Sequence, residues 1–197
     1  VYGSIGEMYA PFGNYHSLML TTPLTMSVGR IRSAMALAGF TYGNVFGSVY
    51  GYSGEMTSGH SDVFKQGGFS VSYLDKFKSV DSVEANVGMV TNIGDSQGMQ
   101  NTGATTNFTG FGQMTTGNQN NLRHRVPGFD VNGKVTVDSW TAIAEFLTAT
   151  ENFNVNDLSY KAGSSNVTGA TPKALHLEAD YAFQAFGKPF TAGAAFG

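Results

Sequence analysis

The feature that most constrains the fold of this chain is an alternation of apolar and polar side chains in segments of about ten residues. The segment Gly128–Val137 is the clearest case. One of its faces carries Phe129, Val131, Val135 and Val137, and the other carries Asp130, Asn132, Lys134 and Thr136. A period of two predicts a β-strand with one apolar face and one polar face, because successive side chains point to opposite sides of a sheet.

The same alternation recurs along the chain, while long helical patterns are absent. Two further segments, Ser82–Val90 and Lys173–Gln184, show it clearly. Ser139–Thr150 also alternates, but its second face is less clean, because Ile143, Leu147 and Ala149 share that face with Glu145. Weaker patterns predict strands over Val1–Met8, Arg30–Tyr42, Val45–Gly54, Gly68–Lys76 and Pro189–Gly197. Leu158–Lys161 begins or ends another strand. The sequence therefore predicts an all-β, antiparallel fold of about nine visible strands.

The connections between these segments alternate between short and long. The short ones are Gly43-Asn44, Phe77–Asp81, Asp138-Ser139 and Phe186–Lys188. The long ones are Tyr9–Gly29, Glu55–Gln66, Thr91–Pro127 and Glu151–Pro172. Such alternation is typical of outer-membrane β-barrels, which have short turns at one end and long loops at the other.

Composition favours a transmembrane barrel over a soluble one. Charged residues make up 13% of the chain, about half the share of a soluble domain. No apolar run is long enough for a transmembrane helix, so a membrane-embedded chain must cross as strands. Charges on the lipid side are costly, which predicts a polar lumen and an apolar outer wall in a bacterial outer membrane. A lipocalin-like barrel would reverse the two faces, and periodicity alone does not separate these possibilities.

Several functional classes have little support in the sequence. The net charge is −3, and the only tight basic group is Arg123-His124-Arg125, which argues against nucleic-acid binding. The chain has no cysteine, and no serine lies in a Gly-x-Ser-x-Gly turn. We therefore expect a protein that is not an enzyme and that uses neither a metal nor a cofactor.

Both ends of the sequence read as strand. Val1-Tyr2-Gly3 already fits the first strand, and Pro189–Gly197 fits the last. We expect one domain over residues 1–197 that continues at both ends, with its remaining strands supplied by further chain or by other subunits.

A series of motifs follows the strands in a fixed order. They are Pro11-Phe12-Gly13-Asn14-Tyr15, Thr22-Pro23-Leu24-Thr25, Ser96–Gln100, Val126–Val131, Glu145–Thr150, Pro172–Leu175 and Glu178–Tyr181. In order and spacing this series resembles the LbtU-family siderophore porins of Gram-negative bacteria. The resemblance implies an outer-membrane barrel that takes up a ferric siderophore. One departure is the basic start at Arg30 and Arg32, where the family pattern tends to an acidic residue.

The candidate ligand-binding residues are the charged side chains expected in the lumen. They are Arg30, Arg32, Glu84, Asp130, Lys134, Glu145, His176, Glu178 and Asp180. Arg30, Arg32 and Lys134 could form a cationic patch for a carboxylate-rich ligand, because a guanidinium group binds a carboxylate through two parallel hydrogen bonds. Alternatively, they pair with the lumen carboxylates. Glu178, Asp180, His176 and Glu145 could hold a metal or transfer protons, but a self-satisfying polar network is the simpler interpretation.

Three functions fit these patterns. In the first, the barrel lies in the lipid bilayer, as a monomer or an oligomer, and passes or binds a small solute. In the second, the lumen is closed and the loop Gly94–Asn121 binds a partner. In the third, the chain is a soluble β-sandwich or lectin-like binder. The barrel interpretations require Val131, Leu177 and Phe183 to lie on the outside, and Asp130 and Glu178 to lie within.

Overall fold

A computed structural model describes residues 1–54, 65–78, 80–100, 108–109, 124–155, 157–162 and 166–197. Most of these residues form one large antiparallel sheet. Its strands are β1 (Tyr2–Tyr9), β2 (Arg32–Tyr42), β3 (Val45–Tyr52), β4 (Gln66–Phe77), β5 (Val80–Val90), β7 (Gly128–Val137), β8 (Trp140–Ala149), β11 (Lys173–Ala185) and β12 (Lys188–Phe196). The prediction of an all-β, antiparallel fold with about nine strands is confirmed.

The strands lie in the sheet in the order in which they follow along the chain. Each is antiparallel to its neighbours, and β1 and β12 form the two edges. Within this chain the sheet is not closed into a barrel. The described part also contains a small sheet of β6 (Phe108–Thr109), β9 (Ser159–Ala162) and β10 (Asn166–Gly169). Of this small sheet, only β9 overlaps a predicted strand.

The short turns all join strands at the same end of the large sheet. Gly43 and Gly187 adopt positive φ angles there, +56° and +71°, which glycine tolerates without a steric penalty. Asp138 also has a positive φ, +49°, in the turn between β7 and β8. The four long connections leave and rejoin the sheet at the opposite end, so the predicted alternation is confirmed. Most of the loop Gly94–Asn121, the predicted partner-binding contact, lies outside the described residues, as does Arg123.

The pairing register assigns each side chain of the sheet to one of its two faces. Asn132 pairs with Asn86 on one side and with Glu145 on the other, and Glu145 pairs with His176. Paired residues point to the same side, so these polar residues share one face, here called the inner face. Val131, whose partners are Val87 and Phe146, lies on the opposite, outer face.

An apolar core lies at the end of the sheet where the strands lead into the long connections. There the segment 10–31, which contains helix α1 (Leu24–Gly29), folds over the inner face together with helix α2 (Gln97–Gln100) and a 3-10 turn at Ile93–Asp95. The largest fully buried side chains are Tyr52, Phe12, Phe153, Ile31, Met35, Ile93, Leu147 and Leu158. A Cβ at Gly98 would overlap the carbonyl oxygen of Ser27, so glycine lets α2 approach α1 closely. No helix of the described residues is long and apolar enough to cross a membrane.

Candidate functional site

The polar residues of the inner face gather on the four strands β5, β7, β8 and β11. Alternation within each strand places Glu84, Asp130, Lys134, Glu145, His176, Glu178 and Asp180 on this face. Asp130, Glu145, His176, Glu178 and Asp180 are all less than 5% exposed. Seven of the nine predicted site residues are therefore brought to one surface.

The two predicted arginines lie elsewhere, so the proposed patch of Arg30, Arg32 and Lys134 is wrong. Arg32 pairs with Tyr9 on the outer face, and its Nε lies 3.2 Å from the Glu7 carboxylate. Arg30 precedes β2, and both guanidinium groups lie beside the Tyr9 ring, at 5.0 Å and 5.9 Å from its centre. The alternative pairing of the arginines with Glu84, Asp130 or Glu178 is not seen either. Lys134, by contrast, is the direct cross-strand partner of Glu84.

The segment 10–31 between β1 and β2, here called the strap, lies against the inner face and binds its carboxylates. Glu145 accepts hydrogen bonds from the backbone N–H groups of Asn14 and Tyr15, at 3.1 Å and 3.0 Å. Its second oxygen accepts the hydroxyl of Thr25. One carboxylate therefore holds three donors of the strap, and hydrogen bonds to an ionised acceptor are stronger than those between neutral groups.

Two further carboxylates, on two other strands of the sheet, anchor the strap. Glu84 accepts a hydrogen bond of 2.7 Å from the Asn14 side chain, and its Oε1 lies 3.1 Å from His16 Nε2. Glu178 accepts the Ser17 hydroxyl and the Leu18 backbone N–H, both at 2.6 Å. The strap is thus attached to β5, β8 and β11, which makes it the main feature of this surface that the sequence did not predict.

Tyr15 of the strap is partly buried beside the carboxylates. Burial raises the pKa of its phenol well above the usual value, and the charges of Asp130 and Glu145 raise that pKa further. The phenol is therefore protonated under physiological conditions, and the strap adds no negative charge at this residue.

The remaining polar residues form a network and border a cavity. His176 Nε2 lies 3.0 Å from Glu178, while Asn132 donates to Asp130 at 2.7 Å and to Asn86 at 3.3 Å. A cavity of about 130 Å³ lies between the strap and the inner face, where Ser48, Ser70, Ser72 and Asn86 contribute to its wall. Among the described residues, no group of three or more histidine or acidic side chains is arranged to hold a metal ion.

The outer face is apolar and exposed. Val131, Leu177 and Phe183 are 44%, 43% and 39% exposed, whereas Asp130 and Glu178 are 0% and 4% exposed. The barrel interpretations require these apolar side chains to lie outside and the two carboxylates to lie within, and this is the arrangement observed. Fold and site together define an open, nine-stranded antiparallel sheet with a charged, strap-covered inner face and an apolar outer face.

The chain is similar along its whole length to longer bacterial proteins. It is 34% identical over 201 residues to a UPF0422 protein of Legionella pneumophila strain Philadelphia 1. It is also 36% identical over 205 residues to a UPF0422 protein of Coxiella burnetii. The chain spans only 36% and 39% of the length of these two relatives. No protein-family model matches the sequence, and no solved structure is significantly similar to it.

Proposed function

We propose that this chain is part of a membrane-spanning β-barrel of a bacterial outer membrane, and that the inner face of this barrel passes or binds a small solute. The observation that carries the proposal is the separation of the two faces. Large apolar side chains are exposed on one side of the sheet, and ionisable side chains are enclosed on the other. A water-soluble protein rarely exposes an apolar surface of this extent, whereas the lipid-facing wall of a barrel requires one.

Aromatic residues at both ends of the outer face support the same proposal. Near the short turns, Trp140 stacks on Tyr181 with ring centres 4.7 Å apart, and Phe183 lies 5.7 Å from Phe190. Near the long connections, the Tyr9 ring lies 5.0 Å and 5.9 Å from the guanidinium groups of Arg30 and Arg32. Tyrosine and tryptophan are enriched where a membrane protein crosses from lipid to water.

The free edges of the sheet fit a barrel that is completed by other strands. Because neighbouring strands alternate in direction, β1 and β12 run the same way. Antiparallel closure therefore needs an odd number of additional strands, which gives the even total that is usual for bacterial barrels. The relatives contain enough additional chain to supply these strands.

The resemblance to LbtU-family porins suggests a ferric siderophore. In the mechanism we propose, transport is passive: the solute enters the barrel, passes the strap and is held briefly by inner-face side chains. Charge and width then set selectivity. No covalent step is involved.

Conductance of the complete protein in planar bilayers, with ferric-siderophore uptake into liposomes, tests this function. We expect Arg32→Ala to leave the conductance and the siderophore uptake unchanged, because Arg32 lies on the outer face with Glu7. Lys134→Ala should change them by about twofold or more, because it removes a charge from the inner face. A protein that remains soluble and monomeric without detergent would instead support a β-sandwich or lectin-like binder and contradict the barrel.

A closed barrel that binds a partner through its surface loops is the second candidate. The observation that favours it is the apolar core at the end of the long connections, where Phe12, Ile93 and Phe153 are almost fully buried over the inner face. A native-size measurement in mild detergent separates the two candidates. A stable hetero-complex without conductance would favour the closed barrel.

A further inference from the structure

The inner face carries an excess of negative charge. On β5, β7, β8 and β11 its carboxylates are Glu84, Asp130, Glu145, Glu178 and Asp180. Among the described inner positions of these four strands, Lys134 is the one lysine or arginine. Even if His176 and His16 were both protonated, and Arg30 of the strap is counted with them and Lys134, the five carboxylates would outnumber the four cations.

The strap binds these carboxylates without neutralising them. Its donors to Glu145 and Glu178 are backbone N–H groups and hydroxyls. Towards Glu84 it offers the Asn14 amide and the His16 imidazole. Apart from the imidazole these donors are neutral, so they hold the carboxylates in place while the negative potential remains.

Two enclosed carboxylate oxygens have no hydrogen-bond donor among the described residues. They are Asp130 Oδ2 and Asp180 Oδ2, on side chains that are 0% and 2% exposed. A buried oxygen without a donor raises the free energy of the folded state, and a nearby cation lowers it. These two oxygens therefore favour the approach of a positively charged group.

We propose that the inner face makes this pathway selective for cations, so that the solute it prefers carries net positive charge. This inference rests on the proposed function and narrows its substrate class. A positively charged solute takes the place of the carboxylate-rich ligand that the sequence predicts. The cationic patch for that ligand is not formed, because Arg32 lies on the outer face and pairs with Glu7.

The test is the permeability ratio of K⁺ to Cl⁻, measured with the complete protein in a planar bilayer under a KCl gradient. We expect a ratio of roughly ten, at the low end of the counter-ion enrichment that charged clefts achieve. The double variant Asp130→Asn, Asp180→Asn should lower this ratio by about threefold or more, because it removes two of the five carboxylates. The matched control Glu7→Gln removes a carboxylate from the outer face and should leave the ratio unchanged.

The possible failures are distinguishable. A wild-type channel that prefers Cl⁻, or shows no preference, would overturn the cation inference while leaving the barrel function intact. A folded double variant with the wild-type ratio would overturn it as well. Absence of any conductance from the complete protein would contradict the proposed function itself. The wild-type ratio decides the inference even if the double variant does not fold.

Discussion

Replacing Glu145 with alanine is expected to release the strap from the sheet. The carboxylate accepts the backbone N–H groups of Asn14 and Tyr15 and the hydroxyl of Thr25, and it is 2% exposed. Its removal leaves all three donors unpaired in an enclosed space. We expect a loss of about 3 kcal/mol in the free energy of strap docking, since a hydrogen bond to a charged group contributes more than a neutral one.

Hydrogen exchange of the Asn14 and Tyr15 amides measures this effect directly. A loss of that size corresponds to exchange that is roughly a hundredfold faster at these two amides, while the core of β7 should remain protected. Glu145→Gln keeps one acceptor oxygen and should show a smaller acceleration. Glu7→Ala serves as the control, because Glu7 is exposed on the outer face. Unchanged exchange in Glu145→Ala would show that the strap is held by its apolar contacts.

Introducing a lysine on the outer face is expected to destabilise the protein in a bilayer. Val71 lies at the middle of β4, is 39% exposed, and pairs with Val87. If this position faces hydrocarbon, Val71→Lys should lower the free energy of unfolding in lipid by about 2–4 kcal/mol. If it faces water, the substitution should have little effect, as most surface substitutions do.

The next residue provides the matched control. Ser72 lies on the inner face, borders the cavity beneath the strap, and receives a hydrogen bond from Asn86. Ser72→Lys should lose about 1 kcal/mol through that hydrogen bond, and it places its charge on the polar side of the sheet. Urea unfolding of both variants in vesicles gives the comparison. Equal stability of the two variants would contradict a lipid-facing outer wall.

The regular strands could be predicted from the sequence because their two faces differ in chemistry. Strand β7 begins and ends at the predicted residues, Gly128 and Val137, since its alternation is unbroken and lies between Pro127 and the turn at Asp138. The inner positions of β11 are predicted for the same reason, and its pairing with β8 places His176 opposite Glu145.

The position of Arg32 could not be predicted, because its strand has no clean alternation. Residues 34–38 of β2 are all apolar, so neither face is marked. Only the pairing of Arg32 with Tyr9 assigns it to the outer face. A basic residue at the start of such a strand is equally compatible with a lumen and with a membrane surface.

The strap was missed for a different reason. Its sequence has no period, and the motif Pro11–Tyr15 contributes to the family resemblance without indicating a partner in the sheet. Its anchors are distant in sequence: Tyr15 and Glu145 are 130 positions apart. Side-chain chemistry in a loop does not reveal such a partner, because the contact depends on the curvature and register of the whole sheet.

Spin-label accessibility along β7 tests the central claim most directly. This chain has no cysteine, so single cysteines at positions 129 to 137 can be labelled once any cysteine elsewhere in the complete protein is replaced. In reconstituted protein, labels at 129, 131, 133, 135 and 137 should collide with oxygen dissolved in lipid, whereas labels at the even positions should be shielded from it. The account predicts this period of two. Water-soluble nickel reagent reaching the odd positions as readily as it reaches exposed loops would contradict it.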